Sequence, residues 1–519
     1  MGPTMTADWN IVIIMNPRIY QFLVGVFASF GSLLFGYDLG VIAQVIASES
    51  YQRTFGVSEA DPETGAVVAL FTGGAFFGAM FASPTAEYTG RRWTITIGSI
   101  IFIVGGILQT VAPEISYLMA GRFLAGLGVG FLTMIIPLYQ AEIAHPSIRG
   151  TVTALQQFML GIGALVASWT GWGTYNAYTD NRQWRIPLGI QIIPAVILGA
   201  LIFLFPESPR WLMDQGKQEK ALKTLARLHS NGNEDDPWVR AEMEQIQESI
   251  AEEHANAAQS YTELFTDMSC FRRVLIACGL QASIQMTGVS AIQYYSVTIY
   301  GQAGIGPSDA LKYQAINSII ALVGQALCIA FIDRFGRRWT LIWGNLFNML
   351  TFIIATIMLV VYPPGKGSAA QGWGFIIVTW AYNFSFSAAC GPLSWIIPAE
   401  IFDTRTRAKG VALATMTSFA FNTMIGQVTG IAMENVGWKY YLVFVICNFT
   451  NAACVWAFVP ETKQMPLEEM NYMFTNAPWF VPFVDRSQYT ADLRADLARR
   501  AEVIDEKLTA KHEIGAEHH

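Results

Sequence analysis

Apolar residues in this chain come in long blocks, not in alternation. The blocks fall at about 19–46, 65–86, 93–113, 117–139, 151–172, 187–205, 273–300, 311–332, 339–362, 372–398, 408–433 and 440–459. Each approaches or exceeds the ~20 residues a helix needs to cross the hydrocarbon of a bilayer. Lipid offers no water to backbone N–H and C=O groups, so each block predicts a helix that closes its own hydrogen bonds. A β-barrel would need alternating segments of ~10 residues, and the sequence has none. The pattern divides the chain into an N-terminus 1–18, a six-helix half 19–205, a linker 206–272, a second six-helix half 273–459 and a tail 460–519. Within 210–255 charges alternate with leucines at helical spacing, as from Ala221 to Leu228, which predicts short amphipathic helices. Residues 485–510 read as another charged helix.

Composition sharpens this reading. Hydrophobic residues make up 53% of the chain and charged ones 14%, against about 25% charged in an average soluble domain. Of the 71 charged residues, 19 lie in 207–270 and 18 in 460–519, so the apolar blocks carry few. A soluble globule built from the remainder would expose far more apolar surface than water tolerates. A cytosolic enzyme and a disordered scaffold are therefore excluded. A net charge of −7 gives no basic field for nucleic acid. The six cysteines lie in or beside apolar blocks without metal-like spacing, so they read as small apolar side chains. No cleavable signal peptide, zinc motif, catalytic triad or Walker loop is present, so ATP-driven transport has no support, and no metal is expected. Gly126-x-Gly128-x-Gly130 follows no strand and sits inside a block, where it suits close helix packing. Asn383-Phe-Ser and Asn448-Phe-Thr match the glycosylation pattern but lie inside spans, so both are discounted.

An even number of spans puts both termini on one side. The short loops of that side carry Arg91, Arg92, Arg149, Arg334, Arg337, Arg338, Arg405, Arg407 and Lys409, nine cations against six opposite. That bias makes the side cytoplasmic.

The two halves repeat each other. Gly90-Arg91-Arg92 recurs as Gly336-Arg337-Arg338, Glu142 with Arg149 recurs as Glu400 with Arg407, and Pro206-Glu207-Ser208 recurs as Pro460-Glu461-Thr462. Charge placement alone asks for cations, not for Glu and Pro at matching places. Six spans, a linker and six more of the same orientation form a parallel repeat, an architecture that places its binding site between the halves. With Gly121-Arg122, Asp333-Arg334-Phe335-Gly336-Arg337-Arg338, Pro206-Glu207-Ser208-Pro209-Arg210 and Pro460-Glu461-Thr462-Lys463, the chain resembles the sugar porter family of the major facilitator superfamily over about residues 19–465. Gly36-Tyr37-Asp38 is most similar to the proton-coupled fungal and plant members. The resemblance implies an all-α membrane protein of twelve transmembrane helices that moves monosaccharides by alternating access.

Two charges lie well inside the spans: Asp38 in the first and Arg122 in the fourth. An intramembrane ionisable group costs several kcal/mol unless paired. At about 1.5 Å per residue the two sit roughly 10 and 8 Å from the outer ends of their spans, so they can meet. Beside Arg122 the carboxylate of Asp38 is held as an anion; parted from it in oil, it takes up a proton. A change of shape that makes and breaks the pair can load and unload that proton. A static brace between two helices is the alternative.

An uncharged, hydroxyl-rich sugar calls for amides and an aromatic face. The spans supply Gln156 and Gln157; Gln281, Gln285, Gln293, Tyr294 and Tyr295; Asn383 and Trp395; and Asn422 and Gln427. Interhelical hydrogen bonding explains any single amide equally well. The resemblance selects Gln157, Gln285, Trp395 and Asn422 as sugar-binding. It also shows departures: Ile284 and Ser290 stand where the family has amides, and Ala321, one turn from Asn317, stands at a third such position. These shift the expected substrate from glucose toward a pentose, a deoxy sugar or another monosaccharide. Pro392 and Pro398 interrupt the hydrogen-bond ladder of the tenth helix, as a broken helix lining a cavity or equally as a simple proline kink, with a gating break the favoured expectation. Arg91, Arg92, Glu142, Arg149 and Glu207, with Arg337, Arg338, Glu400, Arg407 and Glu461, are similar to the family's charge network at the inner gate.

The sequence thus reads as a proton–monosaccharide symporter of the plasma membrane. Both termini are cytoplasmic, the functional unit is monomeric, no cofactor is needed beyond the coupling proton, and the partners are the sugar and the lipid. A facilitator of the same fold and a non-transporting sugar sensor are the alternatives.

Overall fold

The computed structural model describes residues 17–144, 149–256, 262–362, 369–402, 406–463, 470, 473–475 and 478–482. The charged segment at 485–510 lies outside the described residues, as do the side chains of Arg149 and Asp333. Every regular element among the described residues is helical. Nine stretches among them are long and apolar enough to span a bilayer. Helices Arg149–Ala177, Ala369–Ser385 with its continuation Gly391–Ile401, and Arg407–Val436 fill the other three places in the order.

The chain forms two compact units. One is Met1–Phe55 with Leu70–Ala255; the other is Gly56–Ala69 with Asn256–His519. Helix Pro62–Thr89 therefore begins in the second unit and continues in the first.

In the first unit, helix Arg91–Val111 shows how apolar faces are divided. Phe102 and Gly105 are buried, while Ile100, Val104, Ile107 and Val111 stand exposed along the opposite face. In water that stripe would aggregate; facing lipid, it has a matched solvent. Lipid supplies no hydrophobic force between helices, so tight association depends on small residues that let backbones approach. Gly126 does this: a Cβ there would stand 1.8 Å from the carbonyl oxygen of Phe71. Gly36 is equally constrained, with Leu160 O at 1.9 Å. The linker forms the expected amphipathic helices, Pro209–Asp214, Gln218–His229 and Pro237–Asn256. Trp211, Leu212, Met213 and Ala221 form a small core there. His229 Nδ1 lies 2.7 Å from the Glu242 carboxylate, and its Nε2 lies 3.2 Å from Ile143 O at the end of helix Ile115–Ile143.

In the second unit the seventh span is discontinuous. Helix Met268–Gln285 stops, and the chain resumes as Val289–Tyr294 and then Ser296–Gln302. Gly288 turns at φ +99°, where a side chain would be strained. The opened backbone is met from neighbouring helices: Asn448 Nδ2 donates to Thr287 O at 3.0 Å and the Tyr382 hydroxyl to the same oxygen at 3.1 Å. The tenth span departs from the expected break. It widens into a π turn at Phe386–Cys390, and Pro392 then sits at the start of Gly391–Ile401, where its missing N–H costs little. Pro398 lies inside that helix without ending it.

Candidate functional site

Asp38 and Arg122 meet in the first unit. Arg122 Nη1 is 2.7 Å from both Asp38 Oδ1 and Oδ2, and the side chains are 1% and 0% exposed. Asp38 is carried by helix Phe30–Ile46 and Arg122 by Ile115–Ile143. The Arg122 guanidinium also stacks 4.6 Å from the centre of the Phe71 ring, so a π face covers one side of the cation. The charge-assisted bonds and the low dielectric make the pair strong, and either partner alone would be costly there. In the same unit, Gln140 Nε2 donates to Gly25 O and Ser29 Oγ, both at 2.7 Å, and its Oε1 accepts from Gln156. Gln157, the next residue, is half-buried.

The second unit gathers Gln285, Ser290 and Asn422 into one network. Ser290 Oγ donates to Gln285 Oε1 at 2.7 Å, and Asn422 Nδ2 donates to the same oxygen at 3.1 Å. Gln285 Nε2 donates to Ser418 Oγ at 3.0 Å, and the Tyr294 hydroxyl donates to Asn422 Oδ1 at 2.7 Å. The break in the seventh span brings Ser290 back toward Gln285. Trp395 is half-buried on helix Gly391–Ile401, beside Ser394, whose carbonyl accepts from Gln281 at 2.9 Å. Asn317 is buried, and its side chain donates to Gln314 at 3.4 Å. Sequence reasoning missed Ser418. Its spacing of four from Asn422, one face of a helix, was the available signal.

The repeated charged motifs form matching arrangements, one within each unit. Glu142 accepts from Arg91 Nε at 2.8 Å and Nη2 at 2.7 Å, a bidentate pair. Glu207 accepts from the backbone N–H groups of Arg91 and Arg92 at 3.1 and 3.3 Å. Burial pushes the Glu207 carboxyl above its ordinary value. In the second unit Glu400 accepts from Arg337 Nη2 at 3.1 Å and from Thr462 Oγ1 at 2.8 Å. Glu461 accepts from the N–H groups of Arg337 and Arg338 at 2.8 and 3.1 Å. Arg407 donates to Phe402 O at 3.3 Å. Both N-terminal turns start at a glycine of positive φ, Gly90 at 88° and Gly336 at 87°. Among the described residues no cluster of His, Cys, Asp or Glu is arranged to hold a metal.

A family model described as sugar (and other) transporter matches residues 24–474. The MFS-type transporter criB of Aspergillus cristatus is 32% identical over 451 residues, covering 87% of this chain and 92% of that protein. The MFS glucose transporter mfs1 of Aspergillus flavus is 33% identical over 488 residues, covering 88% and 90%. The xylose transporter XylE from E. coli, in a partially occluded inward-open conformation, superposes with a TM-score of 0.73 at 24% identity over 86% of this chain and 100% of that one, which shows a shared fold. This multi-pass membrane chain therefore belongs to the sugar porter family of the major facilitator superfamily.

Proposed function

We propose that this protein imports a monosaccharide together with a proton across the plasma membrane, as a monomer with both termini in the cytoplasm. The buried Asp38–Arg122 pair carries the reading. When the pair is closed, the carboxylate is an anion neutralised by the guanidinium. When movement of either helix separates them, the carboxylate is left in a low dielectric and is most stable protonated. Proton uptake and release then follow the conformational cycle. Gln285, Ser290, Asn422, Trp395 and Gln157 hold the sugar, and the paired charges of the cytoplasmic motifs hold the inner side closed. The Arg91–Glu142 and Arg337–Glu400 pairs are largely shielded from water, so salt screens them less than exposed pairs, and they act as a set. XylE, which shares this fold, is a proton:xylose symporter whose structure is known with 6-bromo-6-deoxy-D-glucose bound.

The test is uptake by a sugar-transport-deficient host. Wild type is expected to accumulate sugar above the outside concentration and to lose accumulation with a protonophore. Asp38→Asn is expected to equilibrate sugar without accumulating it. Undiminished accumulation by Asp38→Asn would refute proton coupling at this residue. A facilitator is the second reading, because a fully enclosed ion pair also describes a permanent brace. A facilitator would be indifferent to the protonophore.

A further inference from the structure

The hydrogen bonds around Gln285 leave its amide able to act in one direction only. A carboxamide oxygen has two lone pairs and its nitrogen two protons. Both lone pairs of Gln285 Oε1 are used, one by Ser290 Oγ at 2.7 Å and one by Asn422 Nδ2 at 3.1 Å. Its nitrogen gives one proton to Ser418 Oγ at 3.0 Å, which leaves one over. The direction is set from Tyr294, whose phenol gives its proton to Asn422 Oδ1 and so turns the Asn422 amide nitrogen toward Gln285. Tyr294, Ser290, Ser418 and Asn422 are buried, while Gln285 keeps part of its surface open.

We propose that Ser290 is a specificity-determining residue: its hydroxyl fills the last acceptor position of Gln285, so that this amide can donate to a sugar but cannot accept from one. The sugar then needs only an acceptor atom at the ring position facing Gln285. A fluorine there, which accepts and cannot donate, serves nearly as well as a hydroxyl, and so does a substituted oxygen. This narrows the monosaccharide reading above, on which it rests, to sugars whose hydroxyl at that position is dispensable as a donor.

The experiment uses whichever of labelled D-glucose or D-xylose the protein takes up, competed by the parent sugar and its complete series of monofluoro-deoxy analogues. In wild type, one ring position is expected to give a fluoro-to-hydroxyl inhibition ratio within about twofold of unity. In Ser290→Ala the freed lone pair rewards a hydroxyl donor, and the ratio at that position alone rises about five- to tenfold, the worth of one neutral hydrogen bond. Ser290→Cys, a weak donor of similar shape, falls between the two. If fluorine is rejected at every position in wild type, or if the pattern is the same in Ser290→Ala, Ser290 does not set specificity. Absence of any monosaccharide uptake would instead sink the transport reading itself.

Discussion

Removing Arg122 costs more than removing both members of its pair. Arg122→Ala leaves the Asp38 carboxylate at 0% exposure with its partner gone, and such orphaned charges destabilise by about 3–5 kcal/mol. Asp38→Asn in the same background neutralises the orphan and recovers most of that loss. Thermal unfolding in detergent should therefore rank wild type, then the double variant, then Arg122→Ala. A double variant no more stable than the single one would show that the carboxylate is not buried as an ion. This pair was visible in the sequence because no other charge lies well inside a span, so each had one conceivable partner. Ser418 was harder to see: its spacing of four from Asn422 names a shared helix face, but a helical serine ordinarily bonds its own backbone, so that spacing does not say it reaches another helix. Its role as acceptor for Gln285 appears only once Gln285 and Asn422 are set side by side.

Single elements were legible where periodicity decides them and obscure where tertiary partners do. Long apolar blocks and leucine-spaced charges gave the helices of the spans and the linker. The opening after Gln285 depends on Asn448 and Tyr382 of other helices, and the π turn at Phe386–Cys390 has no local signature. The segment Gly56–Ala69 runs from the stretch between the first two apolar blocks into the block expected at 65–86. It packs against helices Ser296–Gln302 and Arg407–Val436: Thr298 donates to the Glu59 carboxylate, and Gln427 Nε2 donates to Pro62 O at 3.1 Å. Gly65 permits the approach, since a Cβ there would lie 2.9 Å from Gln427 O. Burial raises the Glu59 carboxyl above its ordinary 4.5, with Thr298 pulling the other way. The packed arrangement thus favours the protonated form. Its stabilisation is complete below the ordinary glutamate value and is lost as pH rises through the raised one. Hydrogen exchange across 56–69 is expected to be slower at pH 5 than at pH 7, after correction for intrinsic rates. Glu59→Gln should abolish that difference, and an unchanged difference in the variant would assign the effect to another group.

At the scale of the molecule, the repeat explains why so much of the architecture was readable. The turn Gly-Arg-Arg uses a glycine of positive φ and a carboxylate from a later motif to satisfy the first N–H groups of a helix, and the same device serves both units. What a repeat does not disclose is the driving force, because Asp38 and Arg122 have no charged counterparts inside the spans of the second half. That asymmetry gives the proposed symport a whole-molecule consequence. A neutral sugar moving with one proton carries one positive charge inward per cycle. Each charge gains about 2.3 kcal/mol from an inside-negative potential of about 100 mV. At about 1.4 kcal/mol per tenfold, voltage alone can then sustain roughly a fiftyfold sugar gradient with no pH difference. Proteoliposomes given a potassium diffusion potential at equal pH on both sides are expected to concentrate sugar toward that limit, and Asp38→Asn vesicles to stop at equality. Wild-type vesicles that fill only to the outside concentration, whatever the voltage, would mean that no charge accompanies the sugar, and the enclosed pair would then be a brace between two helices.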